Sequence, residues 1–105
     1  MAEFNNVSIA KAANILFEGN ITSRTIVFED NSRKTLGIML PGEYELNTVH
    51  KEIMDIQRGV LEVMLPAQDW VKYEGPASFE IQANSKFKLR VHSLVDYCCS
   101  FIKIH

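Results

Sequence analysis

A glutamate and three histidines are the side chains with which this chain could bind a metal ion or transfer protons. Six residues separate Glu52 from Gly59, the glycine of a predicted hairpin turn. A histidine-based metal site needs neutral imidazoles that converge on one ion. His50, His92 and His105 have no ligand spacing relative to one another. The sequence therefore predicts no dedicated metal site.

Two adjacent cysteines, Cys98 and Cys99, could supply a nucleophile. A disulfide between chain neighbours is strained. A reactive thiolate needs a histidine or a cation beside it, and the local sequence offers only Lys103. Packed free thiols in a reducing compartment are the favoured interpretation, with a nucleophilic cysteine as the alternative.

The composition is typical of a soluble globular protein. The chain has 105 residues, of which 47% are hydrophobic and 23% charged, and its formal net charge is −2. This length predicts a single domain over residues 1–105. The charge disfavours nucleic acid as a partner. Because the sequence shows neither a signal peptide nor an apolar stretch of about 18 residues, we expect a cytoplasmic protein with no membrane partner.

Hydrophobic residues recur at every second position, which is typical of strands with one buried face. The clearest run is Lys86–Val91, in which Phe87, Leu89 and Val91 alternate with basic residues. Short runs of this kind, separated by frequent turn signals, predict a single all-β domain with a sandwich or barrel architecture. The one helical candidate is the segment Ser8–Leu16, which is long enough for about two turns.

Several segments, taken in order, resemble one family of small cupins. Glu52 and Gly59 match the second half of the first cupin motif, whereas Leu46 and Thr48, or Glu45 and Asn47, stand where its histidine pair would be. The resemblance is to the pyrimidine/purine nucleoside phosphorylase family and runs from about Arg24 to Ile102, whereas residues 1–22 match poorly. Its landmarks are Gly37–Tyr44, Glu52 with Met54, Gly59–Leu61, Asp69-Trp70 with Tyr73, Ser85 with Phe87 and Leu89, and Tyr97 with Cys99.

The resemblance implies an RmlC-like cupin β-barrel or jelly roll over residues 24–102, usually as a homodimer. It also implies a pentosyltransferase that converts purine and pyrimidine nucleosides and phosphate to free base and pentose 1-phosphate. Inorganic phosphate is then a co-substrate, and neither a metal nor another cofactor is required. The main alternative is a non-catalytic cupin that binds a small sugar or nucleotide. A metal-dependent cupin enzyme and a structural dimerisation module are further alternatives.

Phosphorolysis of a nucleoside places positive charge on the sugar, so it needs a carboxylate, and Glu52 is the candidate. The alternative for Glu52 is a buried anchor for backbone N–H groups. His50 could act as a general acid toward the leaving base, or it could be an exposed loop histidine.

Phosphate needs guanidinium or hydroxyl donors, for which Arg24, Arg33 and Ser85 are the candidates. The basic residues that alternate with Phe87 instead predict a solvated strand face. A pocket that accepts both base classes favours stacking on an aromatic ring, from Tyr44 or Phe87. Trp70 is a third aromatic candidate, although each ring could equally belong to the core.

Overall fold

Two antiparallel sheets make up most of the computed structural model, which describes residues 2–102. The larger sheet has the order β1-β3-β4-β11-β6-β9, and β2 also pairs with β3. The smaller sheet has the order β5-β10-β7-β8. The strands are β1 (Ser8–Ile9), β2 (Asn14–Leu16), β3 (Ile21–Val27), β4 (Arg33–Met39), β5 (Gly42–Asn47), β6 (Lys51–Arg58), β7 (Val60–Met64), β8 (Val71–Glu74), β9 (Ala77–Ile81), β10 (Lys86–Val91) and β11 (Val95–Ile102).

The core lies between the two sheets, which pack as a jelly-roll sandwich and do not close into one continuous barrel. Both sheets contribute side chains that are almost fully buried, among them Ile21, Ile56, Leu61, Ile81, Leu89 and Val95. In β10, Phe87, Leu89 and Val91 are buried, while Lys86 and Lys88 are exposed. The all-β prediction and the alternation from which it was derived are therefore confirmed.

The helix predicted over Ser8–Leu16 is wrong. This segment contains β1 and β2, which both pair with β3, and the only helical turn among residues 2–102 is the 3₁₀ turn Phe17–Gly19. A helix this short is marginal in water, whereas the edge of a sheet offers partners for the backbone. The side-chain amide of Asn14 adds to this pairing by donating to the hydroxyls of Ser23 (3.2 Å) and Thr25 (3.1 Å).

Gly37 makes room for a tyrosine on the inner face of the larger sheet. It pairs with Ser23 on β3 and with Tyr97 on β11. A Cβ atom at this position would collide with the backbone oxygen of Thr22 and would lie 2.8 Å from the Tyr97 hydroxyl oxygen. Because glycine has no side chain, the phenol of Tyr97 can lie directly over the backbone of β4.

The outer face of the larger sheet carries a cluster of exposed apolar side chains. Ile9 and Ile15 are 61% and 66% exposed, and both line a shallow groove with Leu36 and Ile38. Contiguous apolar surface of this kind is typical of protein–protein contacts. The expected homodimer itself stays a prediction. Within residues 2–102, no helix has the length and hydropathy needed to cross a membrane.

Candidate functional site

A cavity of about 260 Å³ lies between the two sheets; we call it the inner cavity. One side of it is apolar and comes largely from the smaller sheet, with Leu46 on β5 and Phe87 and Leu89 on β10. The other side combines apolar residues of the larger sheet with polar ones. The polar lining residues are Asn14, Ser23, Thr35, Glu52, Tyr97 and Cys99 from the larger sheet and Asn47 from β5 of the smaller one.

The inner cavity opens into a wider depression of about 780 Å³, which we call the mouth. Asn14, Thr35 and Phe101 line both spaces and therefore mark the boundary between them. The mouth adds Arg33 and His50, together with the polar turn residues Asp30, Asn31 and Ser32. A cation and a histidine thus lie outside the boundary, and a carboxylate lies inside it.

Strand parity explains why these residues converge. Alternate residues of a strand share a face, so Arg33, Thr35 and Gly37 all belong to the inner face of β4. Pairing sets β11 between β4 and β6, with Thr35 opposite Cys99 and Phe101 opposite Glu52. At about 3.3 Å per residue, β4 covers roughly 13 Å from Arg33 at the mouth to Gly37 in the interior.

Glu52 is partly buried on the inner face of β6 and accepts a hydrogen bond from a thiol. The Sγ of Cys99 lies 3.4 Å from its Oε1. Burial raises the pKa of the Glu52 carboxyl, while the Cys99 hydrogen bond and the nearby His50 partly offset the rise. The carboxyl of Glu52 is therefore protonated at a higher pH than that of a solvated glutamate.

Cys99 acts in this arrangement as a hydrogen-bond donor. Burial raises its pKa, and the neighbouring Glu52 carboxylate raises it further. Burial also raises the pKa of Cys98, which lies on the opposite face of β11. Both thiols are free and buried. These surroundings disfavour the thiolate and support the interpretation of packed thiols; Lys103, the local cation considered above, lies outside the described residues.

Tyr97 lies deeper in the inner cavity, beside Ser23. Burial raises the pKa of its phenol to about 12, and a hydrogen bond with Ser23 partly offsets this effect. Ser23 in turn accepts a hydrogen bond from Asn14. Asn14, Ser23 and Tyr97 therefore form a continuous polar chain from the boundary of the mouth to the interior.

Of the catalytic and substrate-binding candidates proposed for phosphorolysis, four line these two spaces. Glu52 and Phe87 line the inner cavity, and Arg33 and His50 line the mouth. His50 is exposed, in the turn that precedes β6. Phe87 is buried and approaches from the smaller sheet, opposite the polar side of the cavity.

Arg24, Ser85 and Tyr44 do not line either space. Arg24 lies on the outer face of β3, where its Nη1 donates to the backbone oxygen of Lys11 at 2.7 Å. Ser85 lies in the loop before β10, and its hydroxyl donates to the backbone oxygen of Ala83 at 3.3 Å. The Tyr44 hydroxyl donates to the backbone oxygen of Leu40 at 2.6 Å, which ties the ring into the core.

Trp70 and the basic residues of β10 lie on the outside of the smaller sheet. The Arg90 guanidinium stacks 3.9 Å from the centre of the Trp70 ring and donates to Glu43 at 2.8 Å. The solvated strand face predicted for this strip is therefore present.

The sequence did not single out Asn14, Ser23, Thr35 or Tyr97 as site residues. No local motif marks these four residues, and only the pairing of β2, β3, β4 and β11 places them around one cavity. A partial signal existed for Tyr97, which was a landmark of the family resemblance together with Cys99.

Histidine, cysteine and acidic residues do not gather into a metal-binding group of three or more anywhere in the part of the chain that the structure describes. His105 lies outside that part. The expectation of metal independence stays a prediction.

Comparison with known proteins assigns the sequence to a family. The family model described as Pyrimidine/purine nucleoside phosphorylase matches residues 11–101. A protein of that name from Chlorobium chlorochromatii (strain CaD3) is 54% identical over 102 residues, which cover 97% of this chain and 99% of the relative.

Solved structures agree on the fold. A protein of unknown function from Acinetobacter sp. ADP1 is similar with a TM-score of 0.90 and 31% identity, over 95% of this chain and 98% of that one. An RmlC-like cupin with a double-stranded β-helix fold from Methanocaldococcus jannaschii has a TM-score of 0.65 at 10% identity, over 88% and 89% of the two chains. The second similarity concerns the fold alone and confirms the expected cupin architecture.

The raised pKa of Glu52 predicts a pH-dependent cost to stability. A carboxyl whose pKa is higher in the folded than in the unfolded state makes its full contribution to stability while it is protonated, below the unfolded pKa of about 4.3. This contribution is lost as the pH rises through the folded pKa. Glu52→Gln cannot ionise. We therefore expect the variant to gain stability relative to the wild type between pH 4 and pH 7, measured as the free energy of unfolding in urea.

The exposed Glu74 provides the control. For Glu74→Gln, the difference from the wild type should stay nearly constant over the same range. An equally constant difference for Glu52→Gln would contradict the raised pKa.

Proposed function

The chain belongs to the pyrimidine/purine nucleoside phosphorylase family, and we propose that it cleaves purine and pyrimidine nucleosides with inorganic phosphate. The products are the free base and a pentose 1-phosphate, so the reaction is a pentosyl transfer. The observation that carries this proposal is the placement of Glu52 inside a cavity whose mouth holds Arg33. The route from the mouth into the inner cavity thus contains a cation that can bind phosphate and a carboxylate that can bind the sugar.

The reaction exchanges one bond at the anomeric carbon for another. A phosphate oxygen forms the new bond to this carbon while the bond to the base nitrogen breaks, and the electron pair leaves with the base. The sugar gains positive charge in the transition state, which a preorganised carboxylate stabilises. The base takes up one proton as it leaves, and hydrogen phosphate gives up one as it becomes the phosphate ester, so the reaction is balanced. Glu52, held by Cys99, is proposed to accept sugar hydroxyls and to stabilise the developing charge.

Phosphate is proposed to bind at the mouth. The guanidinium of Arg33 can present two parallel donors to a phosphate, a geometry that lysine lacks. Thr35 adds a hydroxyl to the same surface, whereas the hydroxyl of Ser32 donates to the Asp30 carboxylate at 2.6 Å. His50 lies there too, and so we assign it to the phosphate side; the role of acid toward the base would require it at the opposite end of the substrate.

The base is then directed into the inner cavity. The distance of roughly 13 Å along β4, estimated from the rise of a strand, suits a nucleoside with a phosphate beside its anomeric carbon. Phe87, Met54 and Leu89 offer apolar surface to the flat rings of the base. Such contacts do not depend on the pattern of donors and acceptors, so they tolerate bases of different kinds.

The proposal includes neither a metal nor a cofactor other than phosphate. Its rival is a cupin that binds a sugar or nucleotide without turnover. Both interpretations use the same cavity, and only catalysis distinguishes them.

Release of free base from uridine, cytidine, adenosine and inosine tests the proposal directly. We expect release from several of these nucleosides only when phosphate is present, and we expect it to survive treatment with a chelator. Chromatography of base and pentose 1-phosphate is the measurement. Ligand-induced thermal stabilisation without release would favour the non-catalytic rival, and restoration of activity by an added metal would contradict metal independence.

Replacement of Glu52 by glutamine removes the charge at nearly constant shape. We expect kcat to fall by a factor of about 100 or more, the usual range for loss of one preorganised electrostatic group. Glu74→Gln, which changes an exposed carboxyl, is the matched control and should retain full activity. A Glu52→Gln enzyme that folds normally and keeps wild-type kcat would exclude the role assigned to Glu52.

Replacement of Arg33 by alanine should affect phosphate selectively. We expect the KM for phosphate to rise by about 10- to 100-fold, as for a lost charge-assisted hydrogen bond, with little change in the KM for nucleoside. Arg24→Ala is the control, because Arg24 lies on the outer face of the sheet. If both variants show the wild-type dependence on phosphate, Arg33 is not a phosphate ligand.

A further inference from the structure

The deep end of the inner cavity holds two hydroxyl groups to which the proposed reaction assigns no role. Ser23 on β3 and Tyr97 on β11 are both paired with Gly37, which lies between them. Gly37 has no side chain to separate them, and the Tyr97 hydroxyl lies over the backbone at this position. Tyr97 is only 6% exposed, yet it lines the cavity together with Ser23.

Asn14, the third residue of the polar chain with Ser23 and Tyr97, determines which hydroxyl hydrogens are available to a ligand. Its side-chain NH₂ donates to the Ser23 oxygen at 3.2 Å. The Ser23 hydroxyl keeps one hydrogen and a second lone pair. When Ser23 donates to Tyr97, the Tyr97 hydrogen is free to donate to a ligand. When Tyr97 donates to Ser23, the Tyr97 oxygen is free to accept from a ligand.

We propose that Ser23 and Tyr97, which meet at Gly37, bind the polar edge of the nucleobase and that rotation of their two hydroxyl hydrogens lets one cavity accept both oxo and amino bases. This inference rests on the proposed function, because it needs the sugar at Glu52 and the base beyond it. Purines carry the oxo or amino group at C6 and pyrimidines at C4. A single reversible contact therefore suits both members of each class.

The chemistry of hydroxyl groups favours this assignment over a fixed contact. An oxo group accepts hydrogen bonds and an amino group donates them, so a guanidinium, which only donates, would reject the amino bases. An unmatched polar group in a buried site costs binding energy. Rotation of two neighbouring O–H bonds removes this conflict without moving the backbone.

Matched substrates test the inference. For Tyr97→Phe, we expect the KM for uridine, cytidine, adenosine and inosine to rise by about 3- to 10-fold, as for one lost hydrogen bond, while the KM for phosphate stays unchanged. In Ser23→Ala, Tyr97 can still donate its hydrogen to an oxo group. When Tyr97 accepts from an amino group, its hydrogen no longer has the Ser23 oxygen as an acceptor. The kcat/KM ratios of inosine to adenosine and of uridine to cytidine should therefore both rise, by about 3- to 10-fold.

Tyr73→Phe is the matched control. Tyr73 stacks on Phe79 at 4.7 Å and does not line the inner cavity, so this variant should keep wild-type constants for all four nucleosides. Calorimetric titration of hypoxanthine, adenine and ribose 1-phosphate supplies a readout that does not require turnover. Tyr97→Phe should weaken binding of the two bases and leave binding of ribose 1-phosphate unchanged.

Failure of the inference differs from failure of the proposed function. Absence of phosphate-dependent release from the wild type would overturn the proposed function and, with it, the assignment of the deep end to the base. A wild type that is active, with Tyr97→Phe and Ser23→Ala variants of unchanged base affinity and unchanged substrate ratios, would overturn the inference alone. Weakened binding of ribose 1-phosphate in place of the bases would also overturn it, since the sugar would then occupy the deep end.

Discussion

The inner face of the larger sheet packs against the hydrophobic core and also carries the carboxyl group of Glu52. The arrangement of the rest of the site depends on how this carboxyl is accommodated away from water. A carboxyl group removed from water needs hydrogen-bond donors or it becomes protonated. Glu52 obtains one donor from Cys99, whose own burial keeps it in the thiol form. The neighbouring strand thus supports the carboxyl with a group that is neutral, small and compatible with a hydrophobic core. The cost that remains is seen in the raised pKa of Glu52.

The sequence was sufficient to predict the layers of the fold and some of the residues that line the cavity and its mouth. Alternation in β10 placed Phe87 inside and Lys86 outside, and the cupin-like spacing of Glu52 from Gly59 pointed to a carboxylate that lines the cavity. These features are local, so one strand and its turn are enough to reveal them. The positions of Thr35, Cys99 and Tyr97 around Glu52 are not local. They depend on β11 lying between β4 and β6, and strand order of this kind is not written in the periodicity of any single strand.

Arg24 and Arg33 show that one buried residue does not establish which face of a strand points inward. Both were phosphate candidates, and they belong to adjacent strands, but they lie on opposite faces of the sheet. Ile26, which shares a face with Arg24, is buried without belonging to the core cluster, because β1 pairs with this part of β3 and the groove on the outer side contains it. A buried residue therefore did not mark the inner face here. Only knowledge of the segment that covers the outside resolves the ambiguity.

The N-terminal segment has a larger role than its weak sequence signal suggested. It was interpreted as a short helix in a poorly matching region, but the family match begins at residue 11, and β2 places Asn14 on the boundary between the mouth and the inner cavity. The amide of Asn14 donates to Ser23 and Thr25, so it sets the hydrogen-bond pattern of hydroxyls on the neighbouring strand. A helix over Ser8–Leu16 could not hold this amide against β3. Edge pairing of three residues is therefore what connects the start of the fold to the polar side of the cavity.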